Sequence, residues 1–350
     1  MRRILVGLLV AVGCGGGSHK STTPPPPLPE AKAEPTPPPA AKPDDAKPAE
    51  PPPPAEPIEA TLAAPQVKVK LVKAGAGKKA ALKLTPKAGD KAHVEIAMDF
   101  AGKTTAPPEL GGTQEQVAPT VVLGGELQTQ DVGADGAAKF QVTVDNVDAR
   151  DMAGAKTPAD EFKKNLTSLN GMTIAGTVNG NGSTSDLKLR VEKPDAASKE
   201  ALGLIHLSLL PMWPVLPTEP VAPGAKWTVT QTQKLADQLD VTQTTDYELV
   251  SHKGNDWVIK GTTKITGADQ DITAGGGPST KVGKIMGTGT TEATISEGSL
   301  TPASKQHLET SFEATVNVPA QGDHPAQTVS LKFELKQGNA ITSKQASAQK

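Results

Sequence analysis

The sequence predicts a mainly β (α+β) protein: antiparallel sheets in two similar halves, one or two short helices, and a curvature suited to a half-barrel. Three observations predict it. Apolar and polar residues alternate with period two from residue 67 onward, glycine-rich turns separate the alternating runs, and a proline-rich stretch ahead of them can propagate neither helix nor sheet.

The strands come first. Val94, Ile96, Met98 and Phe100 alternate with His93, Glu95, Ala97 and Asp99, and Phe140, Val142 and Val144 alternate with Gln141, Thr143 and Asp145. Phe312, Ala314, Val316 and Val318 repeat the pattern, as do Leu331, Phe333 and Leu335 against Lys332, Glu334 and Lys336. Successive strand side chains point to opposite faces, so each run has one wet and one buried face, as antiparallel sheets allow. Asp135-Gly136, Asn179-Gly180-Asn181-Gly182 and Lys253-Gly254-Asn255 lie between runs and read as tight turns.

Two helices interrupt the strands. Thr157-Pro158 opens one that passes Phe162 and Leu166 to Leu169 and ends at Asn170-Gly171. Pro194 opens the second, whose apolar stripe is Ala201, Leu202, Ile205 and Leu209 and which Pro211 stops. The halves match in layout: Gly89-Asp90-Lys91 and Gly224-Ala225-Lys226 each lead into a strand, and glycine-and-threonine strands follow later in both.

The organisation this predicts is a signal segment at 1–13, a lipid anchor and disordered proline-rich tether at 14–66, and a β-rich first half at 67–193. A helix and proline-rich crossing at 194–223, a β-rich second half at 224–338 and a tail at 339–350 complete it. Runs such as Pro24 to Pro27 and Pro51 to Pro54 keep the tether extended, with a stretched contour on the order of 150 Å.

Arg2 and Arg3, the apolar or glycine run Ile4 to Val12, and Gly13 before Cys14 have the layout of a secretory signal. Nine helical residues span about 14 Å, against a hydrocarbon core of about 30 Å, which argues against a permanent span. Ala11-Val12-Gly13-Cys14 resembles the lipobox of bacterial lipoproteins, departing at Ala11, where leucine is commoner. The resemblance implies that Cys14 becomes the acylated first residue of the mature chain, and that Gly15 directs it to the outer membrane. The alternatives for Cys14 are a plain residue beside a signal-peptidase site, or a redox thiol with no second cysteine to resolve it. Pro214-Val215-Leu216-Pro217 through Gly224-Ala225-Lys226-Trp227 is similar to the linker and strand of a group of uncharacterised β-rich, two-repeat bacterial lipoproteins of unknown function. That resemblance implies no activity. Trp213 and Trp227 are expected to pack at the crossing.

A net charge of -2 gives no field for nucleic acid, and nine aromatic residues give little to stack on bases. The single cysteine excludes an intramolecular disulfide. Gly102-Lys103-Thr104 lacks the earlier glycine of a phosphate loop, and no Gly-x-Ser-x-Gly or Ser-x-x-Lys occurs. His19, His93, His206, His252, His307 and His324 are scattered. Asp131 and Asp135 lack the remaining ligands of a calcium loop, and Asp269 and Asp271 before Gly275-Gly276-Gly277 read as a loop. No catalytic, metal or cofactor residue is therefore expected. The expectation is a non-catalytic envelope lipoprotein, held to a membrane through Cys14 and binding a hydrophobic ligand in an apolar cleft or an envelope protein. A docking module without a cleft is the second expectation, an unrecognised hydrolase the third.

Overall fold

Strand pairing shows how the alternating runs assemble. A computed structural model describes residues 56–195, 198, 201–202, 205, 213–235, 239–272, 280–318 and 327–345. Cys14, the prolines before residue 56, His19, His206, Leu209, Pro211 and His324 lie outside the described residues. The strands are β1 (Ile58–Leu62), β2 (Gln66–Ala74), β3 (Lys91–Thr105), β4 (Thr113–Val117), β5 (Thr120–Val132), β6 (Ala138–Arg150), β7 (Thr173–Val178) and β8 (Leu187–Val191). After the crossing come β9 (Ala225–Leu235), β10 (Leu239–Lys253), β11 (Asp256–Thr266), β12 (Gln270–Ile272), β13 (Thr280–Ser296), β14 (Ala303–Val318) and β15 (Gln327–Gln345).

All fifteen strands belong to one sheet, ordered β1-β8-β7-β6-β5-β3-β15-β14-β13-β11-β10-β9-β2. The expected plural sheets are thus one: the β15–β3 ladder, running from Lys332–Thr105 to Gln345–Ala92, joins the two halves. Each half is a meander, and the last strand of the second pairs with the first long strand of the first.

The two ends of this order are consecutive in the chain. Ala63-Ala64-Pro65 connects β1 to β2 and can bridge at most about 14 Å. Laid flat, the strands between them would span about 50 Å, so the sheet must curl round on itself. Every pairing is antiparallel, and following directions along the order leaves β1 and β2 running the same way. They are therefore not a hairpin. They form one extended stave, bent at Pro65, whose first part pairs with β8 and whose second part pairs with β9. No ladder joins β1 to β2, so the sheet is open there in its hydrogen bonds and closed by the covalent chain. The curvature is a full cylinder instead of the expected half-barrel.

Two other staves are broken in the same manner. β4 and β5 share β3 as partner across Ala118-Pro119, and β11 and β12 share β13 across Gly267-Ala268-Asp269. Proline has no amide to give a ladder, which explains the breaks at Pro65 and Pro119. The thirteen strands along the order thus make twelve staves.

β1 also corrects the end of the tether. Residues 58–66 were expected to extend the proline-rich segment, yet Ile58–Leu62 is a paired strand and Leu62 is fully buried. Five residues behind a proline are too few for alternation to register, and the pairing with β8, far along the chain, makes the strand.

A ring of about eight staves is just filled by its own side chains, and a wider one needs extra filling. The chain supplies it. β8 and β9 run the same way on either side of the β1–β2 stave, so residues 192–224 must travel the cylinder's length. Among them Ala201, Leu202, Ile205, Trp213, Val215, Leu216 and Val221 are buried in one cluster with Val94, Ile96, Phe140, Ile174, Leu189 and Trp227 of the wall.

Asp195 stands ahead of the helical residues Ser198, Ala201, Leu202 and Ile205, next to the expected opening at Pro194. Its Oδ1 accepts from the Ser198 amide at 2.7 Å while its own amide donates to Ser198 Oγ at 2.8 Å, a reciprocal capping box. The other expected helix is two pieces, α1 (Ala159–Lys164) and a 3-10 turn at Thr167–Leu169, still burying Phe162, Leu166 and Leu169 over the wall. The Ser198 hydroxyl, chiefly, holds the Asp195 carboxyl below its ordinary value of 3.8. A lowered carboxyl contributes stability above the unfolded value and loses it as pH falls through the folded one. Asp195→Ala should therefore cost about 1 kcal/mol near neutrality. The deficit should close in acid below that range, where wild type loses the same contribution, as urea titrations at the two pH values would show.

Candidate functional site

The outer wall is charged around its whole circumference. Arg190–Glu59, Lys91–Glu126, Lys226–Glu248, Lys260–Glu292, Lys284–Glu313 and Lys336–Glu309 pair across neighbouring strands at 2.6 to 3.2 Å. Exposed pairs of this kind stabilise little. Their placement matters more, because each Lys or Arg facing lipid near a bilayer midplane costs about 2–4 kcal/mol. This wall faces water.

The inner wall is the reverse. Following the alternation inward, no described residue on any stave is ionisable except Tyr247 and, at the far end of β10, His252, which lies opposite Trp257 and stacks on it. In the first half the inward residues are almost all apolar, from Val94 and Ile96 through Phe140 and Val142 to Leu187 and Leu189. In the second half a neutral polar band interrupts them: Gln243, Thr245, Thr263, Thr291, Gln306, Thr310, Gln337 and Asn339. The band separates the main core from a second apolar cluster that includes Val241, Ile265, Val282, Leu308, Leu331 and Phe333.

Register fixes the neighbours within the band. Thr291 lies opposite Gln306, Gln306 opposite Asn339, and Asn339 opposite Met98. One row on, Gln337 sits between Leu308 and Phe100. Thr245 and Thr263 satisfy each other at 2.9 Å. Gln306, Leu335, Gln337 and Asn339 point inward from strands paired on both sides, yet each is partly exposed. Such residues reach solvent only through open space inside the cylinder. Thr291 Oγ1 and Gln306 Oε1 are buried and accept or donate no hydrogen bond within the protein. An orphaned buried polar atom costs about 1–3 kcal/mol, which a bound polar molecule or water would recover.

Tyr247 borders the band. Its ring lies over Gly261, where a Cβ would meet it at 2.8 Å, and stacks on Trp227 at 5.5 Å. Burial pushes its hydroxyl up to about 12 from 10.0. A raised folded value means stability falls as pH climbs between those two numbers, since the unfolded chain ionises first. Tyr247→Phe should flatten that alkaline loss, read as the melting temperature across the same pH range.

One end of the cylinder is stopped by residues 213–222. Trp213 Nε1 donates to the Leu300 carbonyl at 2.8 Å and its ring meets Phe140 at 5.1 Å. Trp227 Nε1 donates to the Val215 carbonyl at 2.9 Å, so both tryptophans pack at the crossing as expected. Two glycines admit this stopper. A Cβ on Gly182 would lie 2.3 Å from the Pro214 carbonyl oxygen, and one on Gly75 would lie 2.1 Å from that of Ala222; both have positive φ.

The residues weighed in the sequence do not converge. Gly102, Lys103 and Thr104 lie in β3, paired with β15 on one side and β4 on the other, which is no phosphate loop. Asp135 Oδ1 accepts from the Ala137 amide in its turn, and Asp271 of β12 lies opposite Lys281 of β13. His252 stacks on Trp257 at 3.5 Å, while His93 and His307 lie on the outside. Among the described residues no three His, Cys, Asp or Glu side chains gather in a metal-binding arrangement. The polar band escaped sequence reading. Glutamine and threonine at inward positions look like ordinary wet positions until the register is known.

Fold and site together define an antiparallel β-cylinder with a charged outside and an inside lined, apart from His252, by apolar and neutral polar side chains. Residues 205–299, from Ile205 to the turn after β13, match a family of unknown function, DUF6263. The Pro214 to Trp227 stretch falls within that match. No curated protein matches the chain. Among solved structures, the outer membrane protease OmpT from Escherichia coli is similar at 5% identity and a TM-score of 0.22, covering 77% of this chain and 99% of its own. OpdO from Pseudomonas aeruginosa is similar at 8% identity and a TM-score of 0.17, covering 73% and 97%. TM-scores this low carry no argument about fold or function.

Proposed function

We propose that the protein is a non-catalytic, lipid-anchored binding protein of the bacterial envelope. The acylated Cys14 holds it to the outer membrane, and the proline-rich tether carries the cylinder away from the bilayer to meet a ligand or an envelope partner. Two or three acyl chains contribute roughly 0.8 kcal/mol per buried methylene, enough to hold the chain without any membrane-spanning segment. The observation that carries the reading is the pairing of a charged outer wall with a neutral, partly open interior. A body of that kind suits water outside and an uncharged guest inside, and it needs a separate anchor to stay at a membrane. The lipobox-like residues supply that anchor.

Growth with an alkyne-bearing palmitate, followed by coupling to a fluorophore, tests the anchor. Wild type should label and Cys14→Ser should not. An unlabelled wild type, or equal labelling of the variant, would remove the anchor from the account.

A further inference from the structure

We infer that the polar band inside the second half is a binding site for an uncharged amphiphile, one carrying hydroxyl or amide groups on an apolar chain. The inference rests on the binding reading above and supplies its site and ligand class. Four groups make the head-group end: the Thr291 hydroxyl and the carboxamides of Gln306, Gln337 and Asn339, adjacent across β13, β14 and β15. Carboxamides both donate and accept, so they satisfy hydroxyl and amide groups in either sense. Thr291 is 5% exposed, its Oγ1 has no partner in the protein, and Gln306 Oε1 beside it has none either. These atoms are aimed at the interior and held there by register.

Met98, Phe100, Leu308 and Leu335 border the same groups on β3, β14 and β15. They offer an apolar chain a surface within a few ångströms of the polar end. Beyond them stand Phe312 and Phe333, stacked at 4.9 Å. The surface so defined is mixed, with amides and hydroxyls set among apolar side chains.

Charge decides the class. No described side chain of the band or of its apolar border carries a charge, and the one histidine on the inner face, His252, lies opposite Trp257, four residues along β11 from the partner of Thr291, so a carboxylate or phosphate brought to the band would lose its hydration with no counter-ion beside it. A neutral head group pays no such penalty. The lining therefore selects a monoacylglycerol-like molecule over a fatty acid or an anionic lysophospholipid.

The full chain carrying Cys14→Ser, which needs no detergent, is titrated with monoolein, oleate and lysophosphatidylglycerol below their aggregation thresholds, following tryptophan emission and native mass. Monoolein should bind one to one, at least tenfold more tightly than either anion. Thr291→Val and Gln306→Leu should each weaken it about tenfold. Both should leave the melting temperature of the ligand-free chain unchanged or raised, since each removes an orphaned polar atom. That thermal readout separates a lost contact from a lost fold. Failure of monoolein to bind, equal binding of the anions, or indifference to both variants would overturn the assignment. Because palmitate labelling is scored separately, those results would leave the anchor standing.

Discussion

Deleting residues 56–74 should leave a chain that does not fold. The deletion removes the β1–β2 stave, which supplies the partner of β8 along Ile58–Leu62 and of β9 along Gln66–Ala74. It uncovers two strand edges at once, opens the wall over Leu187, Leu189, Trp227 and Val229, and takes away Leu62, Val69 and Leu71, which pack against that core. It also removes the Ala74 carbonyl that receives the Ala222 amide, loosening the stopper at its hinge. Unpaired edges beside exposed apolar surface lead to aggregation more readily than to a smaller native fold. The expected result is loss of a cooperative unfolding transition and of soluble yield. Deleting a comparable length of tether, within residues 25–50, should change neither. A truncated chain that melts like wild type would mean that the cylinder does not depend on this stave for closure.

Trp213→Ala should give the largest loss among single substitutions, about 3–5 kcal/mol. Its indole is 4% exposed, packed on Phe140 of β6 and bonded to Leu300 beyond β13, so it ties the stopper to opposite parts of the wall. Trp213→Phe keeps most of the volume but leaves the Leu300 carbonyl unpaired, and should cost about 1–3 kcal/mol. The difference between the two separates packing from hydrogen bonding. Gly182→Ala reaches the same contact from the other side, forcing the β7–β8 turn away from Pro214 while straining a left-handed residue. Chemical denaturation of the three variants would rank them, and a Trp213→Ala protein as stable as wild type would show that residues 213–222 do not hold the cylinder together.

Much of the strand content was legible because inward and outward positions alternate cleanly in β3, β6, β14 and β15. The turns at Asp135-Gly136, Asn179 to Gly182 and Gly254-Asn255 were legible because their residue types suit few other conformations. Closure was not. The β15–β3 ladder joins segments more than two hundred residues apart, and no local pattern encodes that choice. The direction of the β1–β2 stave follows only once every other pairing is known. The polar band was hidden for a different reason. Thr242-Gln243-Thr244-Thr245 has no hydrophobic alternation, and Gln306 and Thr310 flank Leu308 like solvent-facing neighbours. Only the ladder shows that all of these face inward. Cys14, by contrast, rests on sequence alone, through the apolar run before it and the small residue beside it.

The most direct measurement is the distribution of Cys14→Ser between membrane and soluble fractions after an alkaline wash. A cylinder with charge around its outer wall has no surface for hydrocarbon, so removing the sulfur proposed to carry the acyl chains should move the whole population into the soluble fraction, folded and with an unchanged melting temperature. If the variant stays in the membrane pellet through the wash, the wall itself is holding the bilayer, and the account of a tethered, water-facing body is wrong.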